Sequence, residues 1–121
     1  MEDSILNSTK QILGVSEDYT VFDLDIITHI NAAFSILHQL GIPEGGFFIE
    51  DETDTWSSIP GIIPTQLGLI KTYVYLKVRY LFDPPGTSFL LTATDNQIKE
   101  YEWRLNVSRE NILYPTPKEV A

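Results

Sequence analysis

The segment that most constrains the fold lies between Pro64 and the Asp83-Pro84-Pro85-Gly86 break. Proline suits the first turn of a helix, where its missing amide is not needed, and two prolines end one because the ring clashes with the preceding turn. A helix over residues 64–82 is predicted. Within it Leu67, Ile70, Val74, Val78 and Leu81 fall on one stripe, while Leu69, Tyr73, Leu76 and Tyr80 fall on nearly the opposite side. A helix apolar on two faces is either central in its bundle or shared with another chain.

The flanking segments also carry helical periodicity. Ile5, Leu6, Ile12 and Leu13 lie close together on a helical projection, and Gly14 stands where a C-terminal cap belongs, which predicts a first helix over residues 3–13. In the second, Ile26, Ile27, Ile30, Ala33, Phe34, Leu37 and Leu40 line one face, Asp23 is the expected N-cap, and Gly41-Ile42-Pro43 stops the run. Thr87 or Ser88 is placed to cap a fourth helix, in which Leu91, Thr94, Ile98, Tyr101 and Leu105 recur at three- and four-residue steps as far as about Ser108. Trp103 and Val107 sit off that stripe, as either peripheral core or an outward apolar patch. The prediction is an all-α bundle of about four helices, with residues 1–111 as the helical domain and 112–121 as an extended tail, since Pro115 and Pro117 oppose helix there.

Between the second and third helices, residues 41–63 hold four glycines, two prolines and the run Glu50-Asp51-Glu52 with Asp54 close behind. Phe47-Phe48-Ile49 is a candidate short strand, and Phe47, Phe48, Ile49, Trp56 and Ile59 are candidate anchors tying the excursion to the core.

Composition removes several function classes. With no cysteine there are no disulfides, thiolate metal sites, iron-sulfur clusters or cysteine nucleophile. A net charge of -9 repels nucleic acid and disfavours a tight DNA or RNA binder. No apolar run approaches the roughly 20 residues of a membrane span, and no basic-then-apolar leader opens the chain, so a soluble intracellular protein is expected. His29 and His38 are too far around their helix to share a metal, and the Glu50–Asp54 run lacks the glycine and later glutamate of a calcium loop. No phosphate-binding glycine loop or nucleophile elbow is present, so neither a cofactor nor enzyme activity is expected. Residues 1–70 carry eleven acids and one base, whereas residues 71–121 carry six acids and seven bases. That asymmetry reads either as solubility or as a head-to-tail contact between copies.

The ordered set Ile12-Leu-Gly14, Asp25-Ile-Ile-Thr-His-Ile-Asn31, the acidic loop ending Asp54-Thr-Trp56, Lys71-Thr-Tyr-Val-Tyr-Leu-Lys-Val-Arg-Tyr-Leu-Phe-Asp-Pro-Pro85 and Glu102-Trp-Arg-Leu-Asn106 resembles the head-tail connector proteins of long-tailed bacteriophages and prophages. The likeness spans residues 3–114. It implies a small helical bundle without catalytic residues, located at the head-tail junction of the virion and in the host cytoplasm during assembly. It further implies a homo-oligomeric ring of about a dozen copies under the portal protein. The ring would extend the DNA channel, with DNA only as passing cargo, and would offer a surface to the tail or the next head-completion protein.

On that resemblance, Leu69, Tyr73, Leu76, Tyr80, Trp103 and Val107 are candidate subunit-interface residues. Ile112, Leu113, Tyr114 and Pro115 are candidate portal-binding residues of the tail. Glu50, Asp51, Glu52 and Asp54 are candidates for the channel wall or a ring end, where carboxylates would keep DNA from adhering. Two other classes fit less well: an acidic DNA mimic, whose acids would form a continuous stripe, and another head or tail completion protein, commonly richer in strands.

Overall fold

The computed structural model describes residues 3–113, with side chains described as far as residue 110. Its elements are α1 (Ile5–Leu13), α2 (Asp23–Gln39), a 3-10 turn (Trp56–Ser58), α3 (Pro64–Phe82) and α4 (Ser88–Leu113). There is no β-strand among the described residues; the one bridge is an isolated antiparallel pair, Ser4 with Thr55. The all-α expectation holds.

Local chemistry sets the helix ends. Ser4 caps α1 by accepting the Asn7 amide at 3.2 Å, and Gly14 ends it at φ 77°, a left-handed conformation that glycine adopts without a Cβ clash. Pro64 opens α3, and Thr87 caps α4 by accepting the Leu90 amide at 3.2 Å.

Three boundaries differ from expectation. The first helix begins at Ile5 and not at residue 3, because Ser4 turns its side chain to capping. Phe22, not Asp23, is the N-cap of α2, and Asp23 lies in the first turn, its carboxylate 2.7 Å from Lys10 Nζ. An ammonium partner outcompetes the local amide for that side chain. The fourth helix continues past Ser108 to Leu113, so Ile112 and Leu113 belong to its last turn and not to an extended tail. Pro115 disfavours α geometry only in the residue before it, which leaves the chain free to stay helical through 113. Tyr114 and Pro115 lie outside the described residues.

The two-striped α3 is the central helix: it packs along α2 on one side and α4 on the other, and α1 closes across α2 and α3. Ile70, Tyr73, Val74 and Val78 are buried, and Leu67, Leu69, Leu76 and Tyr80 are half-buried against the same core. The stripes of α2 and α4 meet them with Ile26, Ile30, Phe34 and Leu37 and with Ile98 and Leu105. Burial of each large apolar side chain stabilises the fold by about 2 kcal/mol.

The long excursion over residues 41–63 is an anchored coat. Ile42, Ile49, Trp56 and Ile59 are buried, Phe47 packs edge-on against Phe34, and Phe48 points outward. The expected strand at Phe47–Ile49 is absent. Its place is taken by the Asn31 carboxamide, which accepts the Ile49 amide at 2.8 Å and donates to the Ile49 carbonyl at 2.9 Å, satisfying both backbone groups as a neighbouring strand would. Trp56 is the deepest anchor. Its indole donates to Ser8 Oγ at 2.9 Å, its ring meets Phe34 and Tyr75, and Lys71 Nζ stands 5.7 Å from its centroid.

Candidate functional site

The sequence offered three groups of candidates, and the fold treats them differently. Of the second α3 stripe, Tyr73 is wholly buried and its hydroxyl donates to the Glu102 carboxylate at 2.8 Å, which removes it from any subunit interface. An aromatic on a central helix is claimed by the adjacent helix before a second chain can reach it. Burial first, and the nearby Glu102 carboxylate second, push the Tyr73 phenol well above its ordinary range. Leu69, Leu76 and Tyr80 remain half-buried, packed on the core with part of each side chain facing out.

Trp103 answers the alternative left open for it: 65% exposed, it stands on the outer face of α4, opposite the buried Ile98 and Leu105. Val107, half-buried one turn later, and Phe89, 80% exposed, lie on that same face. Phe89 and Trp103 are about 21 Å apart along the axis, at ~1.5 Å per residue. Nearby, Arg104 bridges Glu100 at 3.2 Å and covers the Tyr101 ring, and Lys99 bridges Asp95 at 3.0 Å. A second apolar surface, unmarked by periodicity, surrounds the start of α2. Val21 and Leu24 are largely exposed, and Tyr19, Phe22, Phe82 and His29 form a chain of edge-on ring contacts beside them.

The acidic loop is a tied turn. Asp54 Oδ2 accepts the Glu50 and Asp51 amides at 2.6 and 3.3 Å, and Asp51 Oδ1 accepts both the hydroxyl and the amide of Thr53. The Thr53 hydroxyl, with its amide second, holds the Asp51 carboxyl below the usual carboxylate value. Glu50 and Glu52 face solvent. The loop is fixed to the start of α1, because the Ile5 amide donates to the Asp54 carbonyl and the Trp56 amide to the Asp3 carbonyl, both at 3.0 Å. Two of the four acids thus shape the loop and two are displayed by it.

One concave feature had no sequence signal. A groove of about 350 Å³ is formed where four separate segments meet: the turn Gly41–Gly45, the turn Pro60–Ile62, Gln66 of α3 and Arg109 of α4. Arg109 lies across Gly41, whose φ of 79° is a left-handed conformation that favours glycine. The described residues contain no cluster of three or more potential metal ligands, and no helix among them is long and apolar enough to cross a membrane. His29 packs near Phe82, and His38 packs over Gly46.

The sequence model of the phage connector protein family matches residues 5–112, from the start of α1 to the last turn of α4. The chain belongs to the phage connector protein family. No curated protein and no solved structure matches it. Phage connectors are a structural protein family, and the surface of this connector displays the exposed Trp103 and Phe89 face, the apolar start of α2 and the tied acidic loop.

Proposed function

We propose that the chain is a head-tail connector that assembles as a homo-oligomeric ring under the portal, extends the DNA channel and presents a surface to the tail or to the next head-completion protein. The observation that carries this reading is the pair of apolar surfaces on different elements, one on the outer face of α4 and one at the start of α2. A closed ring needs such a heterologous contact, in which one patch of a subunit meets a different patch of its neighbour. Leu69, Leu76 and Tyr80 extend the apolar area with their exposed edges; Tyr73 is withdrawn from the set.

Charge supplies orientation. Acidic groups dominate residues 1–70 and bases balance acids in residues 71–121, so an acidic front meets a more basic rear when copies stack side by side. The displayed Glu50 and Glu52 suit a channel wall or ring end that DNA slides past, with Asp51 and Asp54 holding them in place. Ile112, Leu113, Tyr114 and Pro115 are assigned to portal docking, Ile112 and Leu113 as the last turn of α4.

The test is the mass in solution by light scattering, with negative-stain images of the chain alone and with its matching portal protein. A ring, free or on the portal, is expected. A chain that stays monomeric and ignores the portal under both conditions refutes the reading, and unchanged portal binding after deletion of residues 112–121 refutes the role of the tail.

A further inference from the structure

Lys10 is the one lysine or arginine buried among the described residues. An ammonium is costly to take out of water and persists inside a fold only with several partners. It has three, the Glu17 and Tyr19 carbonyls and Asp23 Oδ1, and all of them lie in the α1–α2 connection or the first turn of α2. Turn hydrogen bonds shape that segment locally, from the Tyr19 amide to the Ser16 carbonyl at 3.0 Å and from the Asp23 amide to the Thr20 carbonyl at 3.2 Å. The Lys10 side chain ties it to α1. What the segment displays is apolar: Val21 and Leu24 are 70% and 75% exposed, with Tyr19 and Phe22 beside them. Apolar side chains on an untied loop fold inward, away from water. Held from beneath by the ammonium, these stay outward.

We propose that Lys10 is a positioning residue for self-association: without touching the partner, it holds residues 17–24 in the shape that receives the Trp103 face of α4 from a second copy. This rests on the reading of the chain as a connector that assembles through unlike surfaces. Three observations choose the occupant. Ile12 and Leu81 add to the four exposed side chains at this end of the bundle, where Phe22 meets Phe82. At ~150–200 Å² per large side chain the six show on the order of 500–600 Å², which matches the apolar part of the ~800 Å² that one partner contributes to a standard interface. Glu17, Asp18 and Asp25 stand exposed around this surface and residues 11–70 hold no lysine or arginine, so two such ends repel each other and the mate must bring bases. Trp103 lies between Lys99 and Arg104, whose ion pairs with Asp95 and Glu100 are exposed and weak enough to share with acids across a contact. A surface fixed beforehand loses less freedom on docking, so the buried ammonium acts on affinity.

The experiment measures self-association of the full chain by light scattering over a concentration series, alone and on the matching portal protein, with each variant shown to be folded by circular dichroism. Lys10→Met is compared with Leu24→Ser, which removes a displayed side chain, with Trp103→Ser, which removes its mate, and with Ile70→Ala, a core variant away from both surfaces. Lys10→Met and Leu24→Ser are each expected to weaken assembly at least about tenfold, and Ile70→Ala less than about threefold. Mixing identifies the side affected. Lys10→Met should pair with Trp103→Ser, because each retains the surface the other lacks, and should not pair with Leu24→Ser. A general loss of stability cannot produce that asymmetry. Lys10→Gln takes the place of Lys10→Met if the methionine variant does not fold. Assembly of the folded Lys10 variant at wild-type strength, or mixing that does not distinguish Trp103→Ser from Leu24→Ser, overturns the proposal and leaves the connector reading standing. A wild-type chain that stays monomeric with and without the portal overturns both.

Discussion

Replacing Lys10 by methionine keeps the apolar stem and deletes the ammonium, which isolates one of the least expected contacts in the fold. Lys10 is 1% exposed. Its Nζ donates to the Glu17 carbonyl at 3.0 Å and the Tyr19 carbonyl at 2.8 Å, and sits 2.7 Å from Asp23 Oδ1. It thereby pins the α1–α2 connection to the end of α1. Hydrogen bonds from a charged donor contribute about 1.5–3 kcal/mol each, and the lower end applies here because Glu17 and Tyr19 are exposed residues whose carbonyls water can reach after the change. Two such bonds give about 3 kcal/mol for Lys10→Met, a large part of the roughly 5–15 kcal/mol that holds a domain together. An asparagine at Asp23 keeps an oxygen facing the ammonium while both carbonyls stay on it, so Asp23→Asn should cost only about 1 kcal/mol. Urea unfolding followed by circular dichroism reads both, and with a slope of about 2 kcal/mol per M the Lys10→Met midpoint should fall by about 1.5 M. A fall below about 0.3 M, or an equal fall for Asp23→Asn, would refute the reasoning that the carbonyls carry the contact.

Three further outcomes follow from the site geometry. Tyr73 has a folded-state phenol above its ordinary value of 10.0, so its contribution is present below that pH and lost as pH rises past it. Tyr73→Phe should therefore cost about 1 kcal/mol at neutral pH and flatten the alkaline unfolding profile. Asp51 is the opposite case: its carboxyl lies below 3.8, the turn it stabilises is intact above that pH and loosens as pH falls through the folded value, and a carboxyl NMR titration midpoint at or above 3.8 contradicts the Thr53 contacts. Trp103→Ser should change folding stability by no more than about 0.5 kcal/mol while lowering self-association or portal loading measured by light scattering, because the side chain is exposed and off the core.

The parts of the fold legible in the sequence are those set by local rules. Pro64 and Asp83-Pro84-Pro85 mark the ends of α3, Gly14 the end of α1 and Thr87 the start of α4, since each acts on its own backbone. The central place of α3 was readable from its two stripes, but which stripe residues would face another chain was not. That depends on α4 crossing at Tyr73 with Glu102, twenty-nine positions away. Lys10 and Asn31 look like ordinary surface residues until the loops that supply their acceptors are in place. The groove is the extreme case, because Gly41, Pro60, Gln66 and Arg109 share no spacing that periodicity can detect. Among the candidate sites, the outward position of Trp103 was legible as an alternative, whereas the apolar start of α2 was hidden inside residues that also read as helix.

The two tryptophans of the chain occupy opposite environments: Trp56 is 1% exposed and bonded to Ser8, and Trp103 is 65% exposed on α4. The chain thus carries two intrinsic optical probes that report different events. Trp56 should emit to the blue and resist a soluble quencher until the loop detaches, while Trp103 should emit to the red and be quenched freely in the isolated subunit. If subunits pack over α4, the quenchable fraction falls while the shielded fraction stays constant, so folding and assembly can be followed in one unlabelled sample.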